Sequence, residues 1–467
     1  MRFKSIAQLQ KLLANRDISY AEMYQESYAQ YRAHDSTINS VIEWFADQEK
    51  TAGILGLVKD NICQKNRITS CASQALKNYR APYNATAVER LAQAGLISVG
   101  RANCDEFAMG SGNESSIYGP VRNPWDSTRV SGGSSGGSIA AVAAGYVPWA
   151  LGSETGGSVR LPAAYCGIVG MKPTYGRVSR YGLVAYTSSF DQIGVATRTV
   201  WDNAYVLSKI AGKDVHDSTT LSSPVPDYTG ALTGKLKPGL RIGVLDTMLN
   251  ADGVSPAVQS AIQESLCLYE KLGAHITRVS IPALEYTAAV YFILSRAEAA
   301  SNLARFDGIR YGHADLSAPN LFERYVQDRL QGFGLEVKSR ILIGTHVLSV
   351  GYADQYYNSA QKARIIMRDE LDKAFKSVDI LLSPTAPDGA FKIGEFALNS
   401  LQADLMDYFT SVANITGCPA ISIPCGFTPH KLPIGLQLMA RHEHEELLYQ
   451  TAHAYEQNSS WGTEHPF

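Results

Sequence analysis

A serine follows a run of small residues in the segment GSETGGSVRLPAA, where Thr155, Gly156 and Gly157 directly precede Ser158. The backbone N–H groups of these three residues stand in a turn with little side-chain bulk, so they could approach a developing negative oxygen. Ser158 would then be a nucleophile, and the three N–H groups would form an oxyanion hole. An equally compatible interpretation is a tight turn with a serine that caps a helix.

A serine nucleophile needs a base, and no histidine offers one in a distinctive setting. None of the ten histidines lies between residues 35 and 215, where serine and glycine concentrate. A lysine can act instead if burial lowers its pKa from the ordinary value of about 10.4. Lys59 is the candidate, because it ends the apolar strand-like run GLVK. The alternative is a surface lysine paired with Asp60.

The segment SGGSSGGS at Ser131–Ser138 has three interpretations. A flexible linker is one, but the segment continues into IAAVAAGYVPWALGSE, which is apolar. A phosphate-binding loop is disfavoured, because Ser138 follows the Gly-x4-Gly spacing of Gly132 and Gly137 where such a loop requires lysine. The third is that the glycines set backbone geometry and the serines build a site.

Strand-like and helical patterns alternate along the chain, which is typical of an α/β fold. The strand-like runs are GILGLVK, LISVGRAN, LRIGVLD, HITRVSIP, VDILLSP, PAISIPCG and PIGLQLMA. Helices are predicted at 255–272, 351–378 and 444–457, and a first helix by the spacing of Phe3, Ile6, Leu9, Leu12 and Leu13. The polar stretch Lys213–Gly239 is the best candidate for a boundary or a long surface loop.

Composition limits the classes of function. A net charge of −2 gives no basic stripe that would hold a nucleic-acid backbone by itself. Seven scattered cysteines without a CxxC pair predict reduced thiols. No apolar run reaches the roughly 18–20 residues of a membrane span, so we expect a soluble protein. The acid-free start MRFKSIAQLQKLLANR also allows a mitochondrial presequence, although an ordinary first helix is favoured.

Three motifs together resemble the amidase signature family, the Ser-cisSer-Lys hydrolases. They are VKDNI at 58–62, SGGSSGGS at 131–138 and GSETGGSVRLPAAYCGIVGMKPTYGRVSRYGL at 152–183. The resemblance implies that Lys59 is the base, Ser134 the bridging serine and Ser158 the nucleophile. It also implies a cis peptide bond between Gly133 and Ser134.

The same resemblance implies an α/β fold with a large mixed central β-sheet covered by helices on both faces. It implies a single amidase domain over residues 1–467. Within that domain we expect an N-terminal helical segment (1–50), a signature core (51–210) and a remainder (240–467) that completes the sheet and recognises the substrate.

Within this family, segments such as CDEFAMGSGNESSIYGPVRNPWD at 104–126 and SNLARFDGIRYG at 301–312 are similar to the glutaminase subunits of tRNA-dependent amidotransferases. The implied activity releases ammonia from glutamine, through a glutamyl-enzyme intermediate, for transamidation of misacylated Glu-tRNA(Gln), with Asp-tRNA(Asn) as a second candidate. The implied partners are the B and C subunits of a heterotrimer, with the tRNA held mainly by the B subunit. No cofactor or metal is implied in this chain, and the complex would use ATP and Mg²⁺ through a partner subunit.

The resemblance also assigns contacts to glutamine. Arg340 would bind the α-carboxylate, Asp407 the α-ammonium group, and Tyr291 would add a hydroxyl. The loop residues expected near the scissile amide are Met109, Gly110 and Ser111. Arg160, Asp191 and Gln192 are expected to support the glycine turn and are left out of the catalytic set.

Three departures from the pattern leave alternatives open. Glu154 stands where the family usually has aspartate, and Leu161 where these subunits usually have glutamine. The segment between INSVIEWF and GILGLVKDN is also shortened. A stand-alone amidase with another amide substrate is therefore the alternative function, and a non-catalytic scaffold is a third. A cytoplasmic location is expected, with the mitochondrial matrix or a plastid as alternatives.

Overall fold

The computed structural model describes residues 2–49, 51–314, 316–396 and 406–467. Eleven strands form one sheet in the order β1-β3-β2-β4-β6-β5-β10-β11-β9-β7-β8. The strands are β1 Val41–Trp44, β2 Ile54–Lys59, β3 Leu96–Ala102, β4 Trp149–Glu154, β5 Val169–Lys172, β6 Gln192–Thr197, β7 Arg241–Leu245, β8 His275–Val279, β9 Ile380–Pro384, β10 Ala420–Phe427 and β11 Pro433–Ala440.

Helices fill most of the connections between these strands. They are α1 Ile6–Asn15, α2 Tyr20–Ile38, α3 Thr86–Gln93, α4 Gly136–Ala143, α5 Arg160–Cys166, α6 Val200–Ile210, α7 Asp246–Leu249, α8 Pro256–Lys271, α9 Thr287–Leu303, α10 Leu321–Gly332, α11 Leu335–Leu348, α12 Tyr357–Ser377, α13 Tyr408–Thr416 and α14 Glu445–Glu456. Short 3-10 turns occupy Ala46–Gln48, Gln74–Leu76, Glu106–Ala108, Pro282–Tyr286 and Trp461–Thr463.

The sheet is mixed, as expected. β2 runs parallel to both β3 and β4, whereas β4 and β6 are antiparallel. Every residue of β2, β4, β5, β6, β9 and β11 is buried. Because successive side chains of a strand point to opposite faces, complete burial means that both faces of the sheet are covered. The predicted α/β class is therefore confirmed.

Each of the seven strand-like runs of the sequence contains a strand. Four strands were not predicted, namely β1, β4, β5 and β6. β4, β5 and β6 are short, contain glycine and are buried on both faces, so they lack the alternation of polar and apolar residues that marks a half-exposed strand. Burial by the rest of the fold, rather than local pattern, makes them strands.

The first helix begins where a capping box predicts a start. Ser5 accepts a hydrogen bond from the backbone of Gln8, whose side chain binds the Ser5 N–H in return. Ile6 and Leu9 are buried in the main core. The prediction was wrong for Phe3, which lies before the helix with φ at 65°. No helix among the described residues is long and apolar enough to cross a membrane.

Candidate active site

Lys59 ends β2 in the interior of the sheet. Its side chain has no exposed surface. Lys59 Nζ donates to Ser134 Oγ at 2.7 Å, to Ser135 Oγ at 3.0 Å and to the Ser153 carbonyl at 3.2 Å. The surface-lysine interpretation is therefore wrong, because Asp60 pairs instead with Arg101 at 2.7 Å.

Burial also changes the acidity of Lys59. Removing the ammonium group from water lowers its pKa to about 8, although the nearby Cys104, Asp105, Asp191 and Cys71 oppose the shift. A lysine with this pKa is neutral in about a tenth of the molecules at pH 7. That fraction can accept a proton, as a general base must.

The segment Ser131–Ser138 is part of the core and not a linker, since all eight residues are buried. The peptide bond between Gly133 and Ser134 is cis, as the resemblance implied. Ser138 Oγ donates to the Leu151 carbonyl at 2.9 Å and ties α4 to β4. The backbone N–H of Ser135 donates to the Ser158 carbonyl at 3.1 Å. The glycine turn therefore lies directly beside the cis peptide.

Ser158 lies in the turn between β4 and α5, and its side chain is almost completely buried. The helix-capping interpretation was wrong, because Val159 occupies the capping position and no side chain caps α5. A Cβ atom at Gly156 would stand 2.4 Å from Tyr291 Cζ, and one at Gly157 would stand 2.1 Å from Thr410 Oγ1. Only glycine fits at these two positions, because the side chains of Tyr291 and Thr410 pack against the backbone of the turn.

A buried ion pair between Arg160 and Glu154 supports the glycine turn. Arg160 Nε donates to Glu154 Oε1 at 2.9 Å, and Glu154 Oε2 accepts the backbone N–H groups of Val159 and Arg160. Burial alone would raise the pKa of Glu154, but the charge and hydrogen bonds of Arg160 outweigh it and hold this pKa below its ordinary value. Glutamate in place of the family's aspartate thus still binds the first N–H groups of α5.

Asp191 holds the other side of the turn. Thr155 Oγ1 donates to Asp191 Oδ1 at 2.6 Å, and the backbone N–H groups of Tyr186 and Thr187 also donate to this carboxylate. Burial raises the pKa of Asp191 to about 6. Gln192 starts β6, and its side chain donates to the Asp191 carbonyl at 2.9 Å. The three expected supports, including Arg160, therefore all lie at or next to the turn.

The loop Met109–Ser111 lies against the segment that carries the serines, while its expected place beside the scissile amide stays a prediction. The N–H of Gly133 donates to the Ser111 carbonyl at 2.7 Å, and Ser111 Oγ donates to Asp407 Oδ2 at 3.1 Å. A Cβ atom at Gly110 would stand 2.5 Å from the carboxyl carbon of Asp105. The loop therefore connects the cis peptide to one of the residues assigned to glutamine.

The other assigned residues approach the turn from separate helices. Tyr291 of α9 is buried, and burial raises the pKa of its hydroxyl well above the ordinary value. Arg340 of α11 is also buried, and its Nη1 donates to Tyr186 Oη at 2.6 Å. Asp407 directly precedes α13, and its Oδ1 would be 3.1 Å from a Cβ atom at Gly157. Tyr291 and Asp407 thus border the turn itself, and Arg340 reaches the neighbouring Tyr186.

Sequence reasoning did not predict all the polar contacts of the site. The Ser135 hydroxyl and the Ser153 backbone carbonyl both accept hydrogen bonds from Lys59, which local spacing did not indicate. Asp105 and Tyr186 were not singled out, although both lie inside or beside recognised motifs. The available signal was the position of Asp105 within CDEFAMGSGNES, four residues before Met109.

A buried lysine beside two serines and a glycine turn, on this mixed sheet, defines a serine amidase. The chain belongs to the amidase family, whose model matches residues 6–449. It is 47% identical to the glutamyl-tRNA(Gln) amidotransferase A subunit of Geobacillus kaustophilus, over 99% of this chain and 98% of that protein. It is 49% identical to the corresponding protein of a Synechococcus strain, over 92% of this chain and 88% of that protein.

Solved structures agree with this assignment. The chain is similar to the glutamyl-tRNA(Gln) amidotransferase A subunit of Thermotoga maritima, with a TM-score of 0.82 and 42% identity over 94% of this chain and 92% of that one. It is also similar to a 6-aminohexanoate cyclic dimer hydrolase, with a TM-score of 0.88 and 26% identity over 99% of this chain and 98% of that one. The fold is therefore shared by amidases of different substrates.

Proposed function

We propose that this chain is the glutamine-hydrolysing A subunit of a tRNA-dependent amidotransferase. The observation that carries the proposal is that Tyr291 and Asp407 both approach the glycine turn that bears Ser158. Lys59 is hydrogen-bonded to Ser134. The A subunits of glutamyl-tRNA(Gln) amidotransferases, which match nearly the whole chain, support it.

The reaction begins with proton transfer through the two serines. Neutral Lys59 accepts the proton of Ser134, which accepts that of Ser158, and Ser158 Oγ forms a bond to the amide carbon of glutamine. The negative oxygen is stabilised by the N–H groups of Thr155, Gly156 and Gly157, which would contribute roughly 10²–10³ in rate. Protonation of the nitrogen and cleavage of the C–N bond release ammonia and leave a glutamyl ester on Ser158.

Water completes the cycle. It gives a proton to the same relay, attacks the ester carbon and displaces Ser158, so that glutamate leaves and the starting hydroxyl is restored. Arg340 and Asp407 hold the α-carboxylate and the α-ammonium group of glutamine, and the Tyr291 hydroxyl adds a hydrogen bond. Met109, Gly110 and Ser111 line the pocket beside the amide.

Ammonia then serves the transamidation of Glu-tRNA(Gln) or Asp-tRNA(Asn) in a complex with B and C subunits. The net charge of −2 suits a chain that leaves most tRNA contacts to its partner. ATP and Mg²⁺ are used through the partner, and the complex works in the compartment that holds the tRNA, the cytoplasm or an organelle.

The stand-alone alternative loses one of its supports. Leu161 lies fully buried in an apolar cluster with Tyr165 and Phe391. Leucine in place of the usual glutamine therefore contributes apolar packing to this cluster.

Co-expression of this chain with and without B and C subunits tests the proposal. We expect glutamine-dependent amidation of Glu-tRNA or Asp-tRNA by the complex and weak glutamine hydrolysis by the lone chain. Robust hydrolysis of many alkyl and aryl amides by the lone chain, without a preference for glutamine, would overturn it.

A further inference from the structure

Asp105 lies in the segment CDEFAMGSGN, and the reaction outlined above gives it no role. Its carboxylate is buried and receives four hydrogen bonds. Oδ2 accepts the Asn113 N–H at 2.9 Å, while Oδ1 accepts the N–H groups of Glu114 and Ser115 and the Ser115 hydroxyl at 2.8 Å. Burial raises the pKa of Asp105, but these four donors favour the anion.

The same residue contacts the cis peptide from two sides. The Asp105 N–H donates to the Ser134 carbonyl at 3.2 Å. A Cβ atom at Gly133 would stand 2.1 Å from Asp105 Oδ2, so the carboxylate is packed against the Gly133 backbone. Gly133 in turn donates its N–H to Ser111. Asp105 thus holds the loop that carries Ser111 and the peptide that carries Ser134 in one rigid unit.

We propose that Asp105 is a positioning residue for hydrolysis: its backbone N–H and its carboxylate together fix the Gly133–Ser134 peptide, and so hold the Ser134 hydroxyl beside Lys59. The inference rests on the relay proposed above. We therefore expect the shape and the charge of the Asp105 side chain to have separate effects on the reaction of Ser158.

The charge acts on Lys59 together with its other neighbours. The titratable groups whose negative charge would raise the pKa of Lys59 against burial are Cys104, Asp105, Asp191 and Cys71. Cys104 and Cys71 are thiols whose own pKa values are raised by burial, so they are neutral at working pH. Asp105 and Asp191 are the two carboxylates in this set. Removal of the Asp105 charge therefore lowers the pKa of Lys59 further and shifts the acid limb of the activity profile to lower pH.

The test uses a fluorophosphonate as a probe of the nucleophile, on the full chain co-expressed with its partner subunits. Ser158 Oγ forms a phosphorus–oxygen bond as the phosphorus–fluorine bond breaks, fluoride leaves with the electron pair, and the serine proton passes to Lys59. The labelling rate is measured against pH and does not depend on which amide is the substrate.

For Asp105→Asn we expect the plateau rate to fall about tenfold or more and its midpoint to move down by about half a pH unit or more. For Asp105→Glu, which keeps the charge but not the shape, we expect a lower plateau with the wild-type midpoint. Glu114→Gln is the matched control, because the Glu114 carboxylate faces the Gly394 N–H instead. It should leave both quantities unchanged.

A wild-type plateau in Asp105→Asn, or a lower plateau with an unmoved midpoint, would overturn the proposal. If Asp105→Asn does not fold, Ser115→Ala decides. It removes one of the four donors to Asp105 and also the hydroxyl oxygen that accepts the Glu106 N–H at 3.0 Å. It should lower the plateau about threefold, and an unchanged plateau would refute the positioning role. If fluorophosphonate labelling behaves as expected but the protein does not hydrolyse glutamine, the proposed function is refuted and this inference stands.

Discussion

Two parts of the site differ in how the fold builds them. The proposed hydrolytic centre, formed by Lys59, Ser134 and the turn 155–158, lies at the ends of β2 and β4 and just before α4, and each of these residues is buried. The proposed recognition side, formed by Tyr291, Arg340 and Asp407, comes from α9, α11 and the residue before α13. α11 is half exposed, with Leu335 86% and Leu342 71% accessible on its outer face.

The difference follows from the chemistry of each part. A lysine base must be kept out of water to lose its proton near neutral pH, which demands rigid and complete burial. Recognition of a charged amino acid needs polar side chains near the reacting serine, and Tyr291, Arg340 and Asp407 would supply them from separate helical segments, although all three are buried. We therefore expect substitutions in the hydrolytic centre to lower kcat, and substitutions on the recognition side to raise KM.

The largest effect is expected for Lys59→Met. Loss of the base should lower kcat for glutamine by about 10³-fold or more, because the relay acts as a unit. Lys172→Met is a matched control, since Lys172 is also buried with its pKa lowered to about 8, but its Nζ donates to the Pro173 carbonyl. It should retain far more activity. A similar loss in both variants would contradict a specific role for Lys59.

The wild-type pH profile tests the same residue. The neutral amine is the active form, so glutamine hydrolysis should rise with pH and reach half its plateau near the Lys59 pKa of about 8. Steady-state rates between about pH 6 and pH 10 measure this midpoint. A rate that falls over this range would exclude a lysine base.

The next largest effect is expected for Arg340→Met, on the recognition side. Loss of the guanidinium should raise KM for glutamine by about tenfold to a hundredfold with a smaller change in kcat. Lys338→Met, on the same helix, removes a more exposed positive charge and should change KM by less than about twofold. Equal KM values for Arg340→Met and the wild type would contradict the proposed division between a hydrolytic centre and a recognition side.

A smaller effect is expected for Glu106→Gln. Glu106 belongs to neither the hydrolytic centre nor the recognition side. Glu106 accepts the N–H of Gly334, the residue before α11, at 2.9 Å, and so anchors the helix that carries Arg340. Burial raises the pKa of Glu106 to about 7. Above pH 7 the charged carboxylate binds this N–H more strongly than an amide can, so KM should rise about twofold to fivefold.

Below about pH 6 the wild-type carboxyl is protonated and resembles glutamine, so the two proteins should converge. Measurement of KM at both ends of the pH range checks the sign. A difference that grows toward low pH would contradict this anchoring role.

The smallest effect is expected for Leu342→Gln on the outer face of α11. This side chain is 71% exposed, so the free energy of unfolding should change by less than about 0.5 kcal/mol and kcat and KM should not change. Denaturant unfolding of the lone chain measures it. A loss of more than about 2 kcal/mol would show that this face is packed in solution.

Most of the hydrolytic centre could be predicted because its residues lie in short ordered motifs. Lys59, Ser134 and the glycine turn each stand in a segment that resembles a motif of the amidase family, and their expected roles come from that resemblance. Glu106 could not be assigned, because its partner Gly334 lies 228 positions away. The donors to the Asp105 carboxylate lie only 8 to 10 positions away, but local spacing does not show that the Asp105 N–H also reaches the Ser134 carbonyl. The buried central strands β4, β5 and β6 escaped detection because they show no alternating pattern and contain fewer Ile and Leu residues than β2, β9 and β11, which are equally buried but were predicted.

The sequence by itself determined the chemistry of the site, its glycines and serines, the lysine at the end of a strand and the α/β class, since these depend on residue type and local spacing. Only the tertiary structure decided that Lys59 is buried beside Ser134, with a lowered pKa, and is not a surface charge, because its pKa depends on burial by the whole sheet. It also decided that Ser111 meets Asp407, 296 positions away. Local spacing carries no information about such contacts.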